Sequence, residues 1–139
     1  MFKKILIPVD VMDEEDTQKL LTTAKALTEN WECDRHVVTV TPNMGMAIVG
    51  SYFDANFEAE SRKAAAEQLS AAIVQSGLDA TQHVLTGTVY DRVIELAASL
   101  KADLILISAQ QPDLRDYLLG SNAARIVRHS KQSVLVLRG

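Results

Sequence analysis

The chain has 139 residues, of which 47% are hydrophobic, and a formal net charge of −4, values that fit one packed domain over residues 1–139 rather than a disordered chain. Asp and Glu outnumber Lys and Arg by 18 to 14, so the composition lacks the basic surplus typical of a nucleic-acid binder. The single cysteine, Cys33, cannot form an internal disulfide. The apolar run near the start ends at Asp10, too early for a signal-peptide core, and no run reaches the roughly 18 residues of a membrane span. We therefore expect a cytoplasmic domain that binds neither nucleic acid nor membrane.

Nine segments of regular secondary structure are predicted along the chain. In order they are a strand at 3–9, a helix from the acidic run 13–16 to Leu27, a strand at 36–41, a helix at 57–75, a strand at 80–86, a helix at 89–100, a strand at 103–107, a helix from about 121 to 129 and a strand at 133–137. The strands at 3–9 and 103–107 are continuous apolar runs, whereas 80–86 alternates apolar and polar residues. Apolar spacings of three and four, together with Gly77 after the long helix, indicate the helices.

Two segments are open to a functional interpretation. The acidic run 13–16 favours the first turn of a helix, where the helix dipole stabilises negative charge. A metal site is the weaker alternative, because neighbouring residues on a helix point in different directions. Residues 42–56 are irregular, and long loops in compact domains are often functional.

The alternation of strands and helices predicts an α/β fold with one parallel sheet and helices on both faces. Right-handed crossovers restrict the topology, and the two most apolar strands belong at the centre. A five-stranded sheet in the order 3-2-1-4-5 satisfies both conditions, with the strand near Val84 towards one edge. No internal repeat or linker is evident.

A ligand site is expected where the strand order reverses, because ligands of such sheets bind at the carboxyl ends of the strands there. The residues at that point are Pro8, Val9 and Asp10 after the first strand, and the segment from Ser108 to Gln111 after the fourth. The helix after the fourth strand therefore begins near the same crevice.

The start of that last helix is a candidate phosphate site. Gly120 permits close backbone approach or an unusual φ, and Ser121 or Asn122 suits an N-cap. Free amide groups and the helix dipole together attract an anion. A plain loop with a capped helix is the alternative.

Two strand-end residues are further candidates for contact with a ligand. Asp10 is well placed for a ribose hydroxyl, although it also suits a cap for the next turn. Val40 would line an apolar slot for a base, although a strand valine more often lies in the core.

The whole chain resembles the universal stress protein family. The resemblance rests on the segments 3–10, Gly87 before a helix, 103–107, 117–124, 127–130 and 133–137. Pro112-Asp113 ahead of residues 118–122 is similar to the F/G-type bacterial subgroup in particular. The implied fold is that of the adenine nucleotide alpha hydrolases, and the implied function is a regulatory one in stress response.

The resemblance implies a bound adenine nucleotide, ATP or AMP. Members that bind nucleotide carry Gly-x-x-Gly, nine residues and then Gly-Ser or Gly-Thr. In this sequence the last pair is Gly120-Ser121, whereas Ile107 and Gln110 replace the first two glycines. By resemblance, Asp10 holds the ribose or adenine edge, and Val40 contacts the base. The other implied contacts, to the phosphates, come from Gly120, Ser121 and Asn122, with Ser108 and Gln110 as further contributors.

The family also pairs through its last strand, so the resemblance implies a homodimer joined by Ser133–Leu137. Pairing would cover an otherwise exposed apolar edge; burial under a loop is the alternative. Mg²⁺ is expected only with the phosphates. No catalytic triad, P-loop or Gly-x-Gly-x-x-Gly motif is present, so at most slow ATP hydrolysis is expected. A nucleotide-independent dimer that binds a partner through residues 42–56, with Ile107 and Gln110 closing the pocket, is the alternative function.

Overall fold

The computed structural model describes residues 2–42, 55–109 and 120–138, and within them nine elements alternate strictly between strand and helix. They are β1 (Lys4–Pro8), α1 (Glu14–Thr28), β2 (Asp34–Thr41), α2 (Ala55–Ser76), β3 (Thr81–Thr86), α3 (Val89–Leu100), β4 (Leu104–Ser108), α4 (Ser121–His129) and β5 (Ser133–Leu137). The predicted sequence of elements is confirmed.

The five strands form one parallel sheet in the order β3-β2-β1-β4-β5, which is the predicted order. The two most apolar strands, β1 and β4, are neighbours, and their side chains at Ile5–Ile7 and Leu104–Ile107 are nearly or completely buried. The strand order reverses between β1 and β4, because the chain builds outwards to β3 before it returns to β4. Both β3 and β5 lie at an edge of the sheet, as expected.

Helices cover both faces of the sheet, and a separate hydrophobic core lies on each. On one face, α1 and α2 pack through Leu21 and Leu69 against Ile5 and Ile7. On the other, α3 and α4 pack against Leu6 and the alternate residues of β4; the helix residues in this core are Val93, Ala97, Ala123 and Ile126. Successive strand residues point to opposite faces, which explains why the central strands are apolar throughout.

Local signals in the sequence set several element ends. The Asp13 carboxylate accepts a hydrogen bond from the Asp16 N–H at 3.1 Å and caps α1. Gly77 has a φ of +74° and donates its N–H to the carbonyls of Ile73 and Val74, which ends α2. β2 begins two residues before the predicted start, because the Asp34 N–H donates to the Lys3 carbonyl and extends the ladder with β1.

The start of α4 differs from the prediction. Gly120 itself is the N-cap, and Ser121 is the first residue of the helix, so the N-cap prediction for Ser121 or Asn122 was wrong. Gly120 has φ −58° and ψ 155°, a conformation open to any residue, so the unusual φ considered for it is not observed. No helix among the described residues is both long and apolar enough to cross a membrane.

Candidate functional site

A cavity of about 400 Å³ opens at the carboxyl ends of β1 and β4, where the strand order reverses. That volume lies within the usual range for small-molecule sites. The described residues that line it are Pro8, Val9, Asp10, Asp13, Asp16, Val38, Val40, Pro42, Val89, Ile107, Ser108, Gly120, Asn122, Ala123 and Ile126. The cavity therefore lies where the sequence predicted a ligand.

Most of the predicted site residues meet in this cavity. Seven of them are in its wall: Pro8, Val9, Asp10, Val40, Ser108, Gly120 and Asn122. Ser121 is exposed at the first position of α4 and is not among the described lining residues. Gln110 lies outside the described residues.

One side of the cavity is apolar. Val40 and Val38 lie on the same face of β2, Val89 starts α3, and Ile107 comes from β4. Ile107 is 3% exposed, so it takes the place of a family glycine as part of the wall, and the cavity remains beside it. Such a surface suits the faces of a heteroaromatic base.

Asp10 combines a local structural contact with a place in the cavity wall. Its Oδ1 atom accepts a hydrogen bond from the Met12 N–H at 2.9 Å, and its carbonyl accepts the Thr17 hydroxyl at 2.7 Å and the Asp13 N–H at 3.0 Å. The turn role considered from the sequence is therefore observed. The carboxylate is also exposed at the cavity, where a ligand hydroxyl could donate to it.

The amino end of α4 lies at the cavity without a side-chain cap. Gly120 lines the cavity, is buried and has no side chain with which to cap the helix. The first-turn N–H groups of a helix have no partner within the helix, and the dipole adds positive potential there. Backbone amides at this end could hold a phosphate without a lysine or arginine.

Asp13 and Asp16 line the cavity, although the sequence analysis treated their run only as a helix start. Asp16 is half-buried, and the Ser108 hydroxyl donates a hydrogen bond to its Oδ1 atom at 2.7 Å. Burial raises the pKa of Asp16 most, the Ser108 hydrogen bond opposes the rise, and the charges of Asp13 and Asp10 add to it. Asp13 is the N-cap and Asp16 the third residue of α1, and this cap spacing was the available signal.

No group of three or more histidine, cysteine, aspartate and glutamate side chains in residues 2–42, 55–109 and 120–138 is arranged to hold a metal ion. The three aspartates thus line one cavity without forming a ligand cage. The chemistry that the described wall offers is an apolar slot, a carboxylate edge and a row of backbone amides.

Comparison with known proteins finds relatives that match nearly the whole chain. The model of the universal stress protein family matches residues 1–138. The chain is similar to universal stress protein G of Shigella flexneri, with 35% identity over 145 aligned positions that cover 99% of this chain and all of the relative.

Two solved structures show the same fold. The hypothetical protein MJ0577 superposes with a TM-score of 0.83 at 20% identity, covering all of this chain and 97% of the other. A universal stress protein of Archaeoglobus fulgidus in complex with dAMP has a TM-score of 0.68 at 17% identity and 98% coverage of both chains. At such identities the likeness concerns the fold.

Proposed function

Since the chain belongs to the universal stress protein family, we propose that its cavity binds an adenine nucleotide, ATP or AMP, and that it regulates a stress response through the bound state. The observation that supports this most directly is the combination, in one cavity, of an apolar slot beside Val40 and the amino end of α4, which has no side-chain cap at Gly120. A relative of the same fold is known in complex with dAMP.

The nucleotide would lie across the strand ends with the base in the apolar slot. Val40 contacts the base, the Asp10 carboxylate accepts a hydrogen bond from the ribose or adenine edge, and Pro8 and Val9 form the floor. The phosphates lie against Gly120, Ser121 and Asn122, with Ser108 and Gln110 as further contributors. Mg²⁺ would enter with the phosphates of ATP, whose oxygen atoms are its usual ligands.

Thermal unfolding with and without AMP or ATP tests the binding proposal. A ligand that binds only the folded state stabilises it in proportion to the logarithm of its concentration over Kd, so millimolar nucleotide raises Tm. Gly120→Val abolishes the rise. Because the φ of Gly120 is negative, valine can adopt the same backbone conformation, and its side chain would occupy space at the proposed phosphate seat.

Val127→Ala is the matched control, because Val127 is 44% exposed on the same helix and lies outside the described cavity wall. It keeps the nucleotide-dependent rise in Tm. If millimolar AMP and ATP leave the Tm of the wild-type protein unchanged, the proposal is contradicted. The nucleotide-independent dimer is then the remaining function.

The proposal includes a homodimer joined through β5 and a cytoplasmic location, where adenine nucleotides are abundant. β5 pairs with β4 on one side only among the described strands, and Leu135 on it is 36% exposed. An open apolar edge of this kind invites pairing with a second chain. The whole of residues 1–139 acts as one domain in this proposal.

A further inference from the structure

We infer that the cavity prefers adenine nucleotides with few phosphate charges, binding AMP more tightly than metal-free ATP, and that the carboxylates of Asp13 and Asp16 set this preference. The inference rests on the proposed function and adds the class of nucleotide that the site selects.

The first observation is the sign of the charges around the cavity. Three carboxylates line it, those of Asp10, Asp13 and Asp16, and no lysine, arginine or histidine occurs among its described lining residues. Asp13, the N-cap of α1, and Asp16, in its first turn, are half-buried and line the same cavity as Gly120 at the amino end of α4. A phosphate chain extending from that end of α4 therefore meets negative charge.

The second observation is that two of these carboxylates act on the third. Burial raises the pKa of Asp16 most, and the charges of Asp13 and Asp10 raise it further, whereas the Ser108 hydrogen bond and the charge of Lys19 lower it. A field that makes it harder to ionise one carboxylate makes it harder to bring in further phosphate charge.

The third observation concerns the position of two described cations, Lys19 and Arg138. Lys19 and Arg138 line a separate small cavity of about 80 Å³, together with Asp16 and Ser108. Asp16 and Ser108 line both cavities and are joined by their 2.7 Å hydrogen bond. The pair thus stands between the nucleotide cavity and the two cations.

The amide groups of the helix compensate for only part of a phosphate chain's charge. A helix amino end is equivalent to about half a positive charge, whereas a phosphate monoester carries about two negative charges near neutral pH. Asp13 already caps α1 and accepts the Asp16 N–H, so that helix end is occupied. One phosphate at α4 is accommodated; each additional phosphoryl group adds repulsion that no described cation offsets.

Isothermal titration calorimetry with adenosine, AMP and ATP, each in EDTA and in excess Mg²⁺, tests the inference. In EDTA we expect AMP to bind at least about tenfold more tightly than ATP, a ratio that corresponds to about 1.4 kcal/mol. Mg²⁺ should reduce the difference in affinity between AMP and ATP, because it neutralises part of the phosphate charge. High salt should reduce the same difference by screening.

Asp13→Asn and Asp16→Asn identify the groups responsible. Asparagine is as good an N-cap as aspartate, and its amide oxygen can still accept the Ser108 hydroxyl, so each substitution removes a charge and keeps the hydrogen bond. We expect each variant to bind metal-free ATP several-fold more tightly than the wild type, with a larger gain in the double variant. The affinity for AMP should change less. Glu15→Gln removes a charge from the same turn at an exposed position outside the described wall and leaves the ratio unchanged.

The possible results separate the inference from the proposed function. Metal-free ATP binding as tightly as AMP overturns the inference while nucleotide binding stands. An AMP preference that survives in the double variant, or shifts equally in Glu15→Gln, overturns the part assigned to Asp13 and Asp16. No binding of any of the three ligands, in either buffer, overturns the proposed function and the inference with it.

Discussion

His36 and His83 form a direct hydrogen bond on the sheet, at the end away from the cavity. His36 Nδ1 and His83 Nε2 are 2.9 Å apart, and the ring centroids are 5.1 Å apart. One ring must donate the hydrogen, and the other must accept it through an unprotonated nitrogen. At least one of the two histidines is therefore neutral while the hydrogen bond is formed. Burial, with Lys4 as a smaller cause, lowers the pKa of His36 below its ordinary 6.5, although Asp34 opposes this; burial and the charge of His36 lower the pKa of His83.

The pair predicts a loss of stability in weak acid. Because both folded pKa values lie below the unfolded value of 6.5, the unfolded chain binds more protons, and the stability present above pH 6.5 is lost as the pH falls towards the folded values. Urea unfolding between pH 5 and 8 should show this decline. The decline in the free energy of unfolding should be smaller in His83→Gln. It should be retained in His129→Gln, because His129 is exposed on α4. An equal decline in the wild type and both variants would contradict the assignment of the pH dependence to the His36–His83 pair.

Among the residues of the candidate site, those at or just after the end of a strand could be named from the sequence, because the end of a parallel strand fixes its edge of the sheet. Asp10, Val40 and Ser108 are of this kind. Asp13 and Asp16 could not be assigned to the site, because the sequence does not determine which side of α1 faces the cavity. The Asp16–Ser108 contact joins residues 92 positions apart, a distance that no local pattern reveals.

At the scale of elements, α1 and α4 both begin at the same cavity, but their amino ends differ in capping and in charge. α1 is capped by the Asp13 side chain and has three acidic residues in its first turn, so its positive end is satisfied within the chain. α4 begins at Gly120 without a side-chain cap and with no acidic residue in its first turn. In the proposed function this difference makes α4, rather than α1, the helix that holds the phosphate.

The cap on α1 can be measured by substitution. Asp13→Ala leaves the Asp16 N–H without its acceptor and should reduce the free energy of unfolding by about 1 kcal/mol, whereas Asp13→Asn should leave it nearly unchanged. Urea titration of the two variants beside the wild type measures the difference. Equal loss in both would mean that the charge, and not the hydrogen bond, stabilises the helix.

At the scale of the whole molecule, the reversal of strand order has two consequences. It opens the cavity between β1 and β4, and it leaves β5 at the edge with one described neighbour. The cavity and the proposed dimer edge therefore lie on either side of β4, whose last residue, Ser108, contacts Asp16.

The dimer proposal predicts that a charge on the β5 edge separates the subunits. Leu135→Lys should give a monomer by native mass spectrometry at concentrations where the wild type is a dimer, because a lysine on an open edge opposes strand pairing. Val74→Lys, at a position 80% exposed on α2, should remain dimeric. Retention of the dimer in Leu135→Lys would place the interface elsewhere.

The sequence by itself determined the order of elements, the parallel sheet, the central strands and the edge of the sheet at which the cavity opens, because hydrophobic periodicity and connection rules act locally along the chain. Only the tertiary structure decided that Gly120 caps α4, that Ile107 leaves the cavity open, and that two carboxylates of α1 face it. These outcomes depend on how helices rotate and pack on the sheet, and the packing energies that set this come from residues far apart in the sequence.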